Sequence, residues 1–342
     1  MSFDISVLDL VPVPSGTAPS QALRDTLDLA QAAQAAGYTR YWISEHHSMP
    51  AIASASPEVL LSRIGALTDT LRICSGGIML PNHSPMRVAE HFKALEALYP
   101  GRVDLGLGRA RGSDARANRA MHASSGEHFV SMLDEMLALS ADTYPADHPY
   151  HGVRIMPDDV GLPPIWILGS SGASAGFAAE RGFGYSFASH FSPMDPNAAL
   201  AAYRDGFIPS PAFARPHTIL GVSVICADTE AEARHLAQTV DLMWLRLRKG
   251  EFAALPSPEE AAAYPYSDFE RAAVDENRGR HIIGAPEQVA DQLADLAERT
   301  AASELMIVSN IHDANARLRS YELVAEALSA RHNRMPPRSN AG

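Results

Sequence analysis

Lysine is almost missing from this chain, occurring only at Lys93 and Lys249 among 342 residues. Lys93 falls inside a helical pattern and Lys249 in a loop, so neither stands at a strand end where a Schiff base could form. That counts against barrel aldolases and pyridoxal enzymes. Cysteine is equally scarce: Cys74 and Cys226 both lie in apolar strand-like runs. They read as buried thiols, which excludes a disulfide framework and argues against a thiolate zinc site. No stretch approaches the ~20 uninterrupted apolar residues of a membrane span. The start, Met1-Ser2-Phe3-Asp4-Ile5, lacks the basic and apolar blocks of a secretory signal, so a cytoplasmic protein with no membrane partner is expected. Basic runs are absent except Arg246-Leu247-Arg248-Lys249, and the formal net charge is −12. Such a surface repels a polyphosphate backbone, and nucleic acid is not expected as a partner.

What is present is an alternation of short apolar runs with longer helical patterns. Strands are expected over 5–10, 41–45, 72–80, 103–107, 165–168, 185–188, 218–227 and 305–308. Helices are expected over 19–36, from 57, from 85, over 119–140 and 173–181, from 196, over 230–247 and over 314–328. Pro12 and Pro14 end the first strand by withdrawing ladder donors, and Gly37 stops the first helix. Ser56-Pro57-Glu58 reads as a hydroxyl N-cap, a proline at the first helical position and an acid at the positive end of the dipole, and Ser84-Pro85 repeats it. Eight strand–helix pairs make an α/β protein of the (β/α)8 TIM-barrel type. A 46% hydrophobic share supports one large core, so residues 1–342 are expected as a single domain. The irregular segments 142–163 and 249–285 are then insertions over the barrel mouth.

A barrel keeps its chemistry at the carboxyl ends of its strands. Glu45-His46-His47 closes the Tyr41-Trp42-Ile43 strand. Neighbouring residues of an extended chain face opposite ways, so one histidine can face the mouth and a bidentate metal pair is not expected. A metallohydrolase would want His-x-His at the end of the first strand, where this chain has Leu8-Asp9-Leu10. Gly106-Leu107-Gly108-Arg109 ends another strand with a cation. Ser170, Ser171, Gly172 and Ser174 fall on the turn into a helix, where free amides and the helix dipole suit a phosphate, or where one serine simply caps the helix. Gly76-Gly77 interrupts a third strand, as a bulge or as a place of close approach to the backbone. Asn82, His83, Ser189, His190, Asn310 and His312 follow strands too, as mouth residues or as caps and loop hydrogen bonds.

Together these segments resemble the bacterial luciferase-like flavin monooxygenases over nearly the whole chain. The resemblance rests on Trp42 to His47, on Ile78-Met79-Leu80-Pro81 with Ser84-Pro85 and Val88-Ala89-Glu90, on Pro100 to Arg109, and on Ser170 to Ser174 leading into Phe177 to Gly182. It implies a barrel binding reduced flavin mononucleotide (FMN) at its mouth, with molecular oxygen as second substrate. It places His46 beside the flavin as the catalytic residue, and Arg109, Ser171 and Ser174 around the flavin phosphate, while Ser170 and Gly172 join the cofactor-binding set through the helix-entry turn already described. It sets Gly76-Gly77 beneath the ring, at a non-prolyl cis peptide. It also implies a homodimer built on the helices from Ser56 and Ser84, with Gly65, Ala66, Ala89, Ala94 and Ala97 permitting close packing. Ser170 and Gly108 stand where luciferase proper has an acid and a reactive cysteine, which argues against light emission. No Gly-x-Gly-x-x-Gly unit for a nicotinamide occurs, so a separate flavin reductase is expected to supply the reduced flavin. The expected reaction is oxygenation of a small, apolar organic molecule. The rival readings are a deazaflavin-dependent dehydrogenase on the same barrel and a non-catalytic flavin binder.

Overall fold

The short apolar runs form parallel strands in the computed structural model, which describes residues 3–334. They are β1 (Asp4–Asp9), β2 (Arg40–Ile43), β3 (Arg72–Ser75), β4 (Ile78–Met79), β5 (Val103–Gly108), β6 (Ile165–Gly169), β7 (Gly184–Phe187), β8 (Thr218–Cys226), β9 (Ile282–Gly284) and β10 (Glu304–Val308). β1, β2, β3, β5, β6, β7 and β8 pair in that order, and β10 closes the ring by pairing with both β8 and β1. The eight-stranded (β/α)8 TIM barrel expected from the sequence is therefore present. β4 runs beside β5, and β9 pairs with the carboxyl end of β8.

Around the barrel lie α1 (Pro19–Ala35), α2 (Pro57–Leu67), α3 (Pro85–Leu98), α4 (Ala115–Ala120), α5 (Phe129–Ala141), α6 (Gly172–Glu180), α7 (Pro196–Gly206), α8 (Glu230–Arg248), α9 (Pro258–Ala263), α10 (Asp268–Arg278), α11 (Pro286–Thr300) and α12 (Ala314–Arg334). Gly37 ends the α1 segment in the left-handed region, with φ of 84°, a conformation that costs glycine little. Ser56 and Ser84 do occupy N-cap positions, but their hydroxyls accept no capping bond.

Three expectations are corrected. The strand expected over 72–80 is split into β3 and β4 about a cis Gly76–Gly77 peptide. A Cβ on Gly77 would meet the Gly106 carbonyl oxygen at 2.7 Å and one on Gly76 would meet Leu8 at 2.6 Å. The glycine pair thus permits close approach rather than an ordinary bulge. The helix expected over 119–140 is broken into α4 and α5, because His122 turns left-handed, with φ of 54°, and a 3-10 turn follows at Gly126–His128. The segment 249–285 is not irregular: it folds into α9, α10 and β9. α10 opens on a capping box in which Ser267 accepts from the Glu270 amide and Glu270 accepts from Ser267. Helix α11 lies outside the eight expected pairs altogether.

Alternate strand residues fill two cores, as the period of two requires. Most large apolar side chains pack between barrel and helices. Inside the barrel, Leu8, Trp42, Cys74, Trp166, Ile219 and Met306 form a second cluster, with the two indoles edge to face at 5.7 Å. At the amino-terminal pole, Arg40 bridges Asp104 at 2.5 Å and Glu304 at 3.0 Å. Arg72, His217 and Ser6 complete this buried network. Removing one partner would strand a buried charge, at a cost of about 3–5 kcal/mol.

Candidate active site

A cavity of about 880 Å³ opens at the opposite pole, where the strands end. Leu8, Trp42, Leu168 and Met306 give it an apolar floor, and Phe129 and Phe177 contribute to its walls. Its lining includes Arg109 and Arg111 and no carboxylate, although the chain carries a net −12. The local field therefore favours an anion against the charge of the whole molecule.

His46, Gly76, Arg109, Ser170, Ser171 and Ser174 all line this cavity. Two of the expected site residues do not. Gly77 is turned against the β5 backbone, and Gly172 begins α6 with open space where a side chain would stand. Ser171 holds the N-cap position of α6 without making a side-chain capping bond, which leaves its hydroxyl and the first-turn amides to a ligand. Ser174 Oγ donates to the Ser171 carbonyl at 3.0 Å. A Cβ on Gly169 would fall on that hydroxyl, so the glycine lets α6 lie close to β6.

The protons around His46 follow from its neighbours. Ser54 Oγ donates to the Leu10 carbonyl at 3.1 Å, so the 2.9 Å contact between Ser44 and Ser54 has Ser44 as donor. With its hydrogen used, Ser44 Oγ can only accept from His46 Nδ1 at 3.2 Å. Nδ1 therefore carries the ring hydrogen, and Nε2 has the free lone pair. Burial pushes the His46 pKa down to about 4, so the imidazole is neutral around neutrality.

Glu45, beside it, is fully buried. Its Oε1 accepts from His47 Nε2 at 2.7 Å, from Asn82 Nδ2 at 2.9 Å and from His83 Nε2 at 2.9 Å, and its Oε2 accepts from the Met79 amide at 2.8 Å. Burial alone would raise this carboxyl. The hydrogen bonds from His47, His83 and Asn82 and the charge of His83 outweigh burial and bring it down to about 2. The same contact raises the His83 pKa against the effect of burial. Asn82 and His83 are thus loop hydrogen-bond residues, as one of the two sequence readings had them. His312, which bonds Ser15 at 3.2 Å, is another.

His190 is different. Its ring lines the cavity against Gly221, Nδ1 is sealed without a hydrogen-bond partner, and burial lowers its pKa to about 4. Sequence reasoning did not single out Arg111, Ser44 or the role of Glu45. Only Glu45 carried a signal, as the acid of the Glu-His-His strand end.

The family model for luciferase-like monooxygenases matches residues 1–303. The chain is 41% identical over 325 residues to the uncharacterized protein YceB of Bacillus subtilis (strain 168), covering 94% of this chain and 98% of that one. It is 39% identical over 324 residues to a luciferase-like monooxygenase of Escherichia coli (strain K12), covering 94% and 96%. It is also 33% identical over 331 residues to the N-acetyl-S-alkylcysteine monooxygenase of Bacillus subtilis (strain 168), covering 95% and 98%. The crystal structure of apo-MsnO8 superposes with a TM-score of 0.87 at 36% identity, covering 98% of this chain and 99% of that one. The fold alone is shared with the FMN-bound oxygenating constituent of 3,6-diketocamphane monooxygenase from Pseudomonas putida, with a TM-score of 0.72, 19% identity and coverage of 96% and 99%. A family match over residues 1–303, relatives matched over nearly the full length of both chains and the same barrel lead to one conclusion: the chain belongs to the luciferase-like monooxygenase family of oxidoreductases.

Proposed function

We propose that this protein is a flavin-dependent monooxygenase that uses reduced FMN and molecular oxygen to insert one oxygen atom into a small, apolar organic substrate. The observation that carries the reading is the division of the cavity into a cationic, hydroxyl-bearing rim and an apolar floor. FMN is divided in the same way, with a phosphate at one end and a flat ring at the other. Arg109 and the α6 amino terminus, with Ser170, Ser171 and Ser174, fit the phosphate. Gly76, Leu8 and Trp42 fit the ring, and the absence of a Cβ at Gly76 leaves that part of the floor low. When bound, reduced FMN supplies the electrons that activate oxygen. His46 Nε2, as a neutral acceptor, holds a proton donated by the bound ligands next to the apolar floor, and the aromatic walls keep water from that proton.

The reduced flavin is delivered by a separate reductase, and the protein acts as a cytoplasmic homodimer. Each chain is one catalytic domain, with the insertions 142–163 and 249–285 framing its mouth. The test is anaerobic and aerobic turnover with reduced FMN, scored by incorporation of isotopically labelled oxygen into product. Labelled product formed only with reduced FMN and oxygen supports the reading. Anaerobic hydride transfer from a reduced deazaflavin, with no labelled product from reduced FMN, overturns it. Flavin binding without turnover by either route would leave a non-catalytic flavin binder.

A further inference from the structure

The Glu-His-His strand end puts His46 in the cavity, but the acid before it serves something else. We propose that Glu45 is a positioning residue, whose buried carboxylate orders the loop carrying Arg109 and so sets how strongly the cavity distinguishes a phosphorylated flavin from an unphosphorylated one. This rests on the reading, given above, that Arg109 meets the flavin phosphate.

Glu45 joins three strand-end loops. From its own loop it accepts from His47, and it accepts from Met79, Asn82 and His83 at the end of β4 and in the segment after it. The link to the third loop, after β5, is by two routes. Asn82 Nδ2 bonds both Glu45 Oε1 at 2.9 Å and the Arg111 carbonyl at 3.0 Å. The His47 amide donates to the Gly112 carbonyl at 3.0 Å, and a Cβ on Gly112 would meet the Glu45 carbonyl oxygen at 2.7 Å. The segment Arg109 to Gly112, which carries both arginines of the lining, is therefore packed and bonded onto the Glu45 residue and its neighbours.

Only a carboxylate suits the centre of this arrangement. Four donors converge on the side chain, and an ionised carboxylate offers about four lone-pair sites and no hydrogen of its own. An amide would turn a donor toward at least one of these donors. Glu45 lies outside the lining, and the donors on its carboxylate, His83 and His47 among them, offset part of its negative charge. Arg109 itself is exposed at the rim, so its backbone is what can be ordered in advance of binding. A loop so held loses less freedom when an anion arrives.

The experiment compares oxidised FMN and riboflavin, titrated by flavin fluorescence, against the parent, Glu45→Gln and Asn82→Ala. Glu45→Gln keeps the side-chain shape. Asn82→Ala cuts the bridge to Arg111 while leaving Met79, His47 and His83 on Glu45, so it serves if the first variant does not fold. The ratio of the riboflavin Kd to the FMN Kd is expected to fall roughly tenfold in Glu45→Gln and about threefold in Asn82→Ala, the size of one good hydrogen bond or part of one. Amide hydrogen exchange over residues 108–114 should quicken in both. An unchanged ratio in a folded variant overturns the proposal, and so does an equal loss for the two flavins, which is what general loosening of the barrel would give. A parent that binds both flavins equally overturns the phosphate reading itself, and this inference with it.

Discussion

Replacing His46 by alanine separates two chemical roles that differ in magnitude. With its pKa lowered to about 4 by burial, the imidazole at neutral pH is protonated in about one molecule in a thousand. Using that form as a proton donor would cost about 4 kcal/mol, at ~1.36 kcal/mol per pKa unit. The chain Leu10, Ser54, Ser44 to Nδ1 leaves Nε2 as an acceptor. If Nε2 moves a proton during the reaction, its loss should cost about 10²–10⁴ in rate. If it only accepts a neutral hydrogen bond of ~0.5–1.5 kcal/mol, the loss is about two- to twelvefold. The expected outcome is the larger figure. It is read as faster release of hydrogen peroxide when reduced FMN, protein and oxygen are mixed, and as loss of oxygenated product when a substrate is present. FMN affinity should be retained, since Arg109 and the α6 serines are untouched. The parent should also show an acid limb near pH 4, where Nε2 takes a proton, and Ser44→Ala should fall between parent and His46→Ala. A His46→Ala variant that releases peroxide as slowly as the parent and keeps its product yield would refute the reasoning.

Arg109→Ala is expected to weaken FMN binding by about 1.5–3 kcal/mol and to leave riboflavin binding nearly unchanged, because a charge-assisted bond to the phosphate is the interaction removed; equal losses in titration would remove Arg109 from the phosphate site. The pKa values of His46, His190 and His281 are each lowered to about 4, so between about pH 6.5 and pH 4 the unfolded chain binds more protons and stability should fall as pH falls through that window. Each ring contributes at most about 3 kcal/mol, reduced by solvent contact, while the raised His83 acts oppositely, stabilising fully below about pH 6.5; a urea midpoint that stays constant over this range would contradict the assignment. Val59 on α2 and Leu98 on α3 are 66% and 64% exposed beside exposed Ala66, Ala94 and Ala97, whereas Gly65 and Ala89 are buried in the protomer. Sedimentation should show a dimer at micromolar concentration that Val59→Glu with Leu98→Glu dissociates, and a monomeric parent would rule this face out.

The barrel strands were legible because each is a short apolar run bounded by proline, glycine or a polar strand end, and the parallel order follows from the helices between them. The helix break after Ala120 could have been read too, since Ser124-Ser125-Gly126-Glu127 is a breaker and N-cap cluster in which Ser125 accepts from the Glu127 amide, although nothing marks His122 as left-handed. α10 could have been found: Ser267-Asp268-Phe269-Glu270 is a capping-box pattern, obscured by the aromatic and proline residues just before it. Within the site, chain direction located His46, Arg109 and the serine turn. It offered His190 as a mouth residue or a loop hydrogen-bond residue without choosing, because what sets this ring apart is an Nδ1 with no hydrogen-bond partner. Nor could it show Glu45 as a junction, because its partners Met79, Asn82 and His83 lie more than thirty residues away along the chain.

The buried charges of Arg40, Asp104 and Glu304 close one pole of the barrel. The consequence is kinetic: nothing enters through that pole, so the apolar floor is reached only from the side where the strands end. Whatever lies against Leu8 and Trp42 must arrive before, and depart after, whatever lies above it. Order of binding in such a vessel is set by depth, and a surplus of the outer guest traps the inner one instead of competing with it.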